Sequence, residues 1–152
     1  AHANQKFSAS GAVAADFFGR TPRPWGAGAS IGCFQAVNAV QDTSSAITGG
    51  GANSLKLTGA GEVSLRIPVD AVGFTLSVTC KSDDGGATYP RMVVVANPSV
   101  GITTDTTVTA TSNSEQTITT ATITPTSKGV MEVRLIARAG TVTSVTYFDI
   151  LV

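Results

Sequence analysis

Hydrophobic and polar residues alternate strictly along two neighbouring runs in the middle of the chain, residues 61–69 and 74–81. A third run, residues 131–138, repeats the alternation near the C-terminus. Successive side chains of a β-strand point to opposite faces, so each run predicts a strand with one buried face and one solvated face. The apolar positions expected in the core are Val63, Leu65, Ile67, Phe74, Leu76, Val78, Val133 and Leu135.

Further strands are expected between clusters of turn-forming residues. Such clusters bound the apolar or alternating stretches at residues 31–40, 54–58, 91–96 and 142–152. Gly59 and Gly61 are expected to end the strand that precedes them. The threonine-rich segment 101–126 is also expected to be extended, because threonine favours strands. About eight or nine strands separated by turns, with no long helix, predict an all-β protein with an antiparallel two-sheet β-sandwich.

Residues 1–32 lack strand alternation and are predicted to form an extended N-terminal arm. Pro22 and Pro24 cannot donate ladder hydrogen bonds, so this segment does not suit a central strand. It also lacks the charged and apolar regions of an intact signal peptide. Four aromatic side chains expose too much apolar surface for a free tail, and we expect them to dock on their own domain or on a neighbouring subunit. These candidate partner-binding residues are Phe7, Phe17, Phe18 and Trp25.

The low content of charged residues limits the kinds of molecule that this protein is expected to bind. Asp, Glu, Lys and Arg make up 13% of the chain, and the formal net charge is +0. Because phosphate neutralisation needs clustered lysine and arginine, nucleic-acid binding is not expected. No apolar run approaches the roughly 20 residues of a membrane span. A hydroxyl-rich, charge-poor composition is typical of secreted or particle-forming β proteins, so the predicted location is a virion or the extracellular space.

No catalytic constellation is evident in the sequence, and no enzyme activity is expected. The single histidine, His2, lies in the arm, and no cluster of His or Cys suits a transition metal. Asp83 and Asp84 precede two glycines, which is the pattern of a plain turn, although adjacent carboxylates can also bind calcium. The two cysteines, Cys33 and Cys80, are either buried thiols or one disulfide.

Four stretches form a recognisable set when they are taken in order, namely residues 53–57, 67–69, 74–78 and 145–152. This set resembles the jelly-roll modules of the family that includes carbohydrate-binding modules of the family 4/9/22 type, which also recur in bacteriophage virion proteins. The resemblance implies a jelly-roll β-sandwich over residues 33–152. It also implies a structural calcium ion, because an aspartate in the closing strand of such modules can be a calcium ligand and Asp149 matches that position. Asp42 is the nearest candidate for a second acidic ligand, and no other cofactor is expected.

The predicted function is that of a non-enzymatic structural or decoration protein of a virion or other extracellular assembly, docking through its N-terminal arm. Its expected partners are other protein subunits, in a homo-oligomer or with capsid or tail proteins. The alternative is a carbohydrate- or receptor-binding β-sandwich module with a cell-surface glycan as partner. Sugar binding normally uses exposed aromatic rings, and Tyr89, in a loop before Pro90, is the candidate ligand contact. The other interpretation is that Tyr89 packs over the edge of the sandwich.

Overall fold

The computed structural model describes residues 32–49, 53–83, 88–137 and 144–149, and strands dominate them. The strands are β1 (Gly32–Asp42), β2 (Ser54–Val69), β3 (Ser77–Ser82), β4 (Arg91–Val94), β5 (Thr106–Thr109), β6 (Gln116–Thr119), β7 (Gly129–Ile136) and β8 (Val145–Asp149). One turn of 3₁₀ helix at Pro98–Val100 is the only helical element among these residues. No helix in this part of the chain has the length and apolar content that a bilayer crossing requires. The predicted all-β class is therefore confirmed.

Two layers of strands share β2. Hydrogen-bonded neighbours follow the order β5-β4-β7-β2-β8-β3-β6, and β1 pairs with the other edge of β2. Residues 62–69 of β2 pair with β7, whereas residues 55–58 pair with β8. Strand β1 occupies one edge of β2 along both halves, so β7 and β8 must both pair with the opposite edge, one at each half. The strands that continue from β7 and from β8 then form two layers that face each other. The first layer is β5-β4-β7 with the second half of β2, and the second layer is β6-β3-β8 with the first half. The predicted antiparallel two-sheet sandwich is confirmed.

A glycine corner lets β2 serve both layers. Gly59 has a φ of +60°, a left-handed conformation that glycine adopts without steric cost. On the second-layer side, Gly59 N donates to Ser144 O at 2.8 Å, and on the first-layer side Ala137 N donates to Gly61 O at 3.0 Å. The expectation that Gly59 and Gly61 end a strand is wrong. The strand bends at this point and continues, so Ser54–Val69 is one element of 16 residues.

The apolar faces of the two layers meet in one core. Leu55 from the shared strand and Phe148 from the second layer are among its largest fully buried side chains. Ile67 and Phe74, which the alternation predicts for the core, are only partly buried but still pack against it. The other six predicted core residues are buried, namely Val63, Leu65, Leu76, Val78, Val133 and Leu135.

Strand β3 begins later than its alternation predicts. Phe74 forms an isolated antiparallel bridge with Ile123, in which the two backbone hydrogen bonds measure 2.9 and 2.8 Å. Close by, Thr120 Oγ1 accepts the backbone N–H of Leu76 at 3.0 Å. A side chain thus replaces the backbone acceptor at this position, and the regular ladder starts only at Ser77.

Cys80 lies on the inward face of β3 and is buried as a free thiol. Burial disfavours the charged thiolate and raises the pKa of Cys80 to about 12. The side chain of Cys33 lies outside the described residues, so its state stays a prediction. The same holds for the N-terminal arm, because the described chain begins at Gly32, the first residue of β1.

Candidate functional site

The outer face of the second layer carries a row of three side chains across adjacent strands. Tyr147 on β8 lies directly opposite Lys56 on β2 and Lys81 on β3. The neighbouring Phe148 is fully buried in the core, so strand alternation turns Tyr147 outwards. Lys56, Tyr147 and Lys81 are each half-buried. These three residues are called the tyrosine row below.

Charged groups surround the Tyr147 ring. Lys81 Nζ lies 5.6 Å from the ring centroid, within the range of a cation–π contact. The pKa of Tyr147 is raised above its ordinary value, first by partial burial and then by the negative charges of Asp42 and Asp83. Burial and the two negative charges each disfavour the phenolate. The ring therefore carries a neutral hydroxyl at physiological pH, which can donate or accept a hydrogen bond.

Hydrogen bonds within the protein hold the two carboxylates in place. Asp42 Oδ2 accepts from Ser44 N at 3.0 Å and also from the Ser44 hydroxyl. Asp83 Oδ1 accepts from Val145 N at 2.9 Å. Each acid thus has a structural role at a strand end, since Asp42 shapes the turn after β1 and Asp83 ties the end of β3 to β8.

Hydroxyl groups extend this polar surface towards the edge strand β6. Ser77 Oγ and Thr119 Oγ1 are 2.7 Å apart, and Thr79 Oγ1 and Thr117 Oγ1 are 2.9 Å apart. Both threonines of β6 are exposed to solvent. A hydroxyl has one donor and two acceptor positions, so the exposed threonines of β6 retain capacity for further hydrogen bonds, whereas Thr79 is buried. The outer face of the second layer therefore combines one aromatic ring with donors and acceptors of several kinds.

The outer face of the first layer is also charged, and three of its charged side chains pair with one another. Arg134 Nη2 lies 3.2 Å from Glu132 Oε2, and Arg134 Nε lies 3.7 Å from Glu62 Oε1. None of the described strands of this layer contains an aromatic residue. These strands of the first layer therefore offer no aromatic ring on which a ring-shaped ligand could stack.

Asp149, the predicted calcium ligand, is buried on the same face as the tyrosine row. Thr79 is its partner on β3, and the register of β2 with β8 places Ser54 on its other side. Asp42 faces Ser54 from β1, so the two predicted acidic ligands share one face with a single strand between them. Calcium takes about six to eight oxygen ligands, and the described residues contain no group of three or more His, Cys, Asp or Glu that could hold a metal. The two carboxylates supply only part of such a shell, and the calcium site stays a prediction.

Tyr89, the predicted ligand contact, is partly buried and packs against the hydrophobic core. This placement corresponds to the interpretation in which the tyrosine covers the edge of the sandwich, and a contact with ligand stays a prediction. The predicted partner-binding residues Phe7, Phe17, Phe18 and Trp25 lie outside the described residues. Docking through the arm, assembly with other subunits and a place in a virion therefore also stay predictions.

Sequence reasoning missed the tyrosine row as a site. A signal for it exists in β8, where Tyr147 and Phe148 are adjacent aromatic residues. Two neighbours in a strand face opposite sides of the sheet, so one of the two rings must lie on an outer face. The alternation alone does not say which lysines flank that ring. That information is in the pairing of β8 with β2 and β3, which are distant in sequence.

Comparison with known proteins finds similar folds among carbohydrate-binding modules. A family 16 carbohydrate-binding module, module 2, has a TM-score of 0.58 and 17% identity, over 87% of this chain and 89% of that chain. A family 61 module in complex with β-1,4-galactotriose has a TM-score of 0.51 and 10% identity, over 77% of this chain and 84% of that chain. No protein-family model matches the sequence, and no curated protein matches it. The chain therefore has a β-sandwich fold like that of carbohydrate-binding modules, whereas the particular families and the virion context of the sequence resemblance stay predictions.

Proposed function

We propose that this chain is a non-catalytic, glycan-binding β-sandwich module whose ligand lies on the outer face of the second layer. The observation that carries the proposal is the outward-facing ring of Tyr147 between Lys56 and Lys81. The faces of a sugar ring are largely apolar and its rim is lined with hydroxyl groups. An aromatic ring can stack on such a face while lysine ammonium groups and neighbouring hydroxyls bond to the rim.

The structural likeness supports this proposal, because both similar proteins are carbohydrate-binding modules and one of them was solved with galactotriose. The composition of the two outer faces supports the choice of layer. On the first layer, Arg134 is already paired with two glutamates, and β4, β5, β7 and the second half of β2 offer no aromatic ring. A glycan ligand also agrees with the extracellular or virion surface location predicted from the low charge, since glycans are displayed there.

The test is binding of the full chain to an array of immobilised glycans, followed by titration of the best ligand by calorimetry. Tyr147→Ala should weaken binding at least about tenfold, as truncation of an aromatic anchor at an interface commonly does. Tyr147→Phe should keep most of the affinity, because it retains the ring. No new reducing ends are expected when the bound glycan is incubated with the protein.

The matched control is Arg91→Ala, which removes an exposed side chain from β4 of the first layer. It should leave glycan binding unchanged, and thermal melts should show that all three variants are folded. The proposal fails if no glycan binds. It also fails if Arg91→Ala abolishes binding while Tyr147→Ala does not, because the ligand would then lie on the first layer.

A further inference from the structure

The two lysines of the tyrosine row make no ion pair with any described residue. The ion pairs found in this part of the chain join Arg134 to Glu62 and Glu132, on the other layer. Adjacent strands lie about 4.8 Å apart, so Lys56 and Lys81 flank the ring closely from both sides. Among the described residues, therefore, no carboxylate neutralises the positive charges beside Tyr147 by direct contact.

The nearby acids are engaged differently. Asp42 accepts hydrogen bonds from the backbone and hydroxyl of Ser44, and Asp83 accepts one from the backbone of Val145. These bonds fix both carboxylates at strand ends. The lysines, in contrast, have long flexible side chains that can reach towards a ligand above the sheet. The ammonium groups of the two lysines, unlike the carboxylates of Asp42 and Asp83, can therefore move to meet a bound ligand.

We infer that the glycan bound at the tyrosine row is acidic, with a ring carboxylate placed against Lys56 or Lys81 while the sugar ring stacks on Tyr147. This inference rests on the proposed glycan-binding function and names the substrate class for the same face. The carboxylate lies towards the flanks of the ring and away from the fixed Asp42 and Asp83, which would repel it. A uronic acid residue within a polysaccharide has this chemistry.

The experiment compares matched pairs of polysaccharides in which methyl esterification removes the charge of the carboxylates. Homogalacturonan, alginate and hyaluronan are each titrated as the acid form and as the fully methyl-esterified form, together with a neutral β-1,4-galactan. We expect at least one acid form to bind more tightly than its ester. Its affinity should fall as salt rises from 50 to 200 mM, because exposed charge pairs are screened over about 10 Å at 0.1 M salt, whereas ester binding should not change.

Substitutions test whether the preference for an acidic glycan comes from the tyrosine row. Lys56→Met and Lys81→Met should each weaken binding of the acid form by about two- to fivefold, the range expected for one exposed ion pair, with little effect on the ester. Asp83→Asn should strengthen binding of the acid form, because it removes repulsion and keeps the oxygen that accepts from Val145 N. Lys128→Met, in an exposed turn elsewhere, is the control and should have no effect.

The outcomes separate the two proposals. If neutral galactan or the esters bind through Tyr147 as tightly as the acid forms, the inference of an acidic ligand is wrong and the glycan-binding function stands. If the acid forms bind but the lysine variants and Lys128→Met behave alike, the preference does not come from the tyrosine row and the inference is again wrong. If none of these polysaccharides binds, the inference of an acidic ligand is wrong, and the glycan array decides the proposed function separately. A sulfated glycan that binds more tightly than every carboxylated one would also overturn the assignment of a carboxylate.

Discussion

Replacing one leucine on each side of the β2 corner tests whether this strand joins both layers into one core. Leu57 lies in the half that pairs with β8, and Leu65 lies in the half that pairs with β7. Their side chains are 0% and 1% exposed. Leu→Ala removes three buried carbon atoms, which at about 0.8 kcal/mol each amounts to about 2.4 kcal/mol of lost burial. Neighbours from two layers cannot readily collapse into the cavity, so we expect a total loss of about 3–4 kcal/mol for each variant.

The assay is urea unfolding followed by tyrosine fluorescence and far-ultraviolet circular dichroism, because both tyrosines belong to the described sandwich whereas the single tryptophan, Trp25, does not. Leu57→Ala and Leu65→Ala should each show one transition, coincident in both signals, at a lower midpoint and with an unchanged m value. Val40→Ala, at a position 53% exposed on β1, is the control and should change stability by less than about 0.5 kcal/mol. A loss below about 1 kcal/mol for either leucine, or two separate transitions, would show that the layers do not share one core through β2.

Three further predictions follow from the corner, the buried thiol and the predicted calcium ligand. Gly59→Ala should lower the free energy of unfolding by about 1–2 kcal/mol, because Gly59 has a positive φ. Gly49→Ala is the control: Gly49 has a φ of +77° but an added Cβ would meet no neighbouring atoms, so this variant measures the cost of the backbone conformation alone. In a Cys33→Ser background, Cys80 should resist a thiol reagent at pH 8 until the protein unfolds. The free energy of unfolding should fall as pH rises from 9 towards 12, since only the thiol of the unfolded chain ionises in that range. If Asp149 holds calcium, excess chelator should lower the melting temperature. An identical melting curve with and without chelator would show that no calcium ion stabilises the fold.

The strands that the sequence predicted best are those in which local alternation and tertiary burial agree. Val63 and Leu65 sit on one face of a period-two pattern and are buried, because the face that is apolar in the sequence is the face that the other layer covers. Gly59 shows where this reasoning stops. Glycine permits both a chain reversal and a bend within a strand, and only the hydrogen bond from Gly59 to Ser144, across many residues of sequence, selects the bend.

The candidate site was harder to predict than the fold because it depends on pairing between distant segments. Lys56, Lys81 and Tyr147 each occupy an ordinary polar or amphipathic strand position when read alone. They become a row only through the registers of β8 with β2 and with β3. Tyr89 looked more promising from sequence, since it lies in a loop beside a proline. In the structure its ring packs against the core, because a large aromatic side chain in a short loop gains more from burial than from exposure.

In the proposed glycan site, the ring of Tyr147 and the two lysines have different roles. The ring sits on β8 between two paired strands, so its backbone is fixed and stacking requires little ordering. Each lysine, in contrast, gives up side-chain freedom worth about 0.5–1.5 kcal/mol when a ligand immobilises it. The coupling measured for an exposed ion pair, about 0.2–1 kcal/mol, is what remains after this loss, so each lysine adds about a two- to fivefold preference for a carboxylate. The ring should therefore supply most of the affinity, while Lys56 and Lys81 should bias the site towards acidic glycans, because only a ligand with a carboxylate gains this increment.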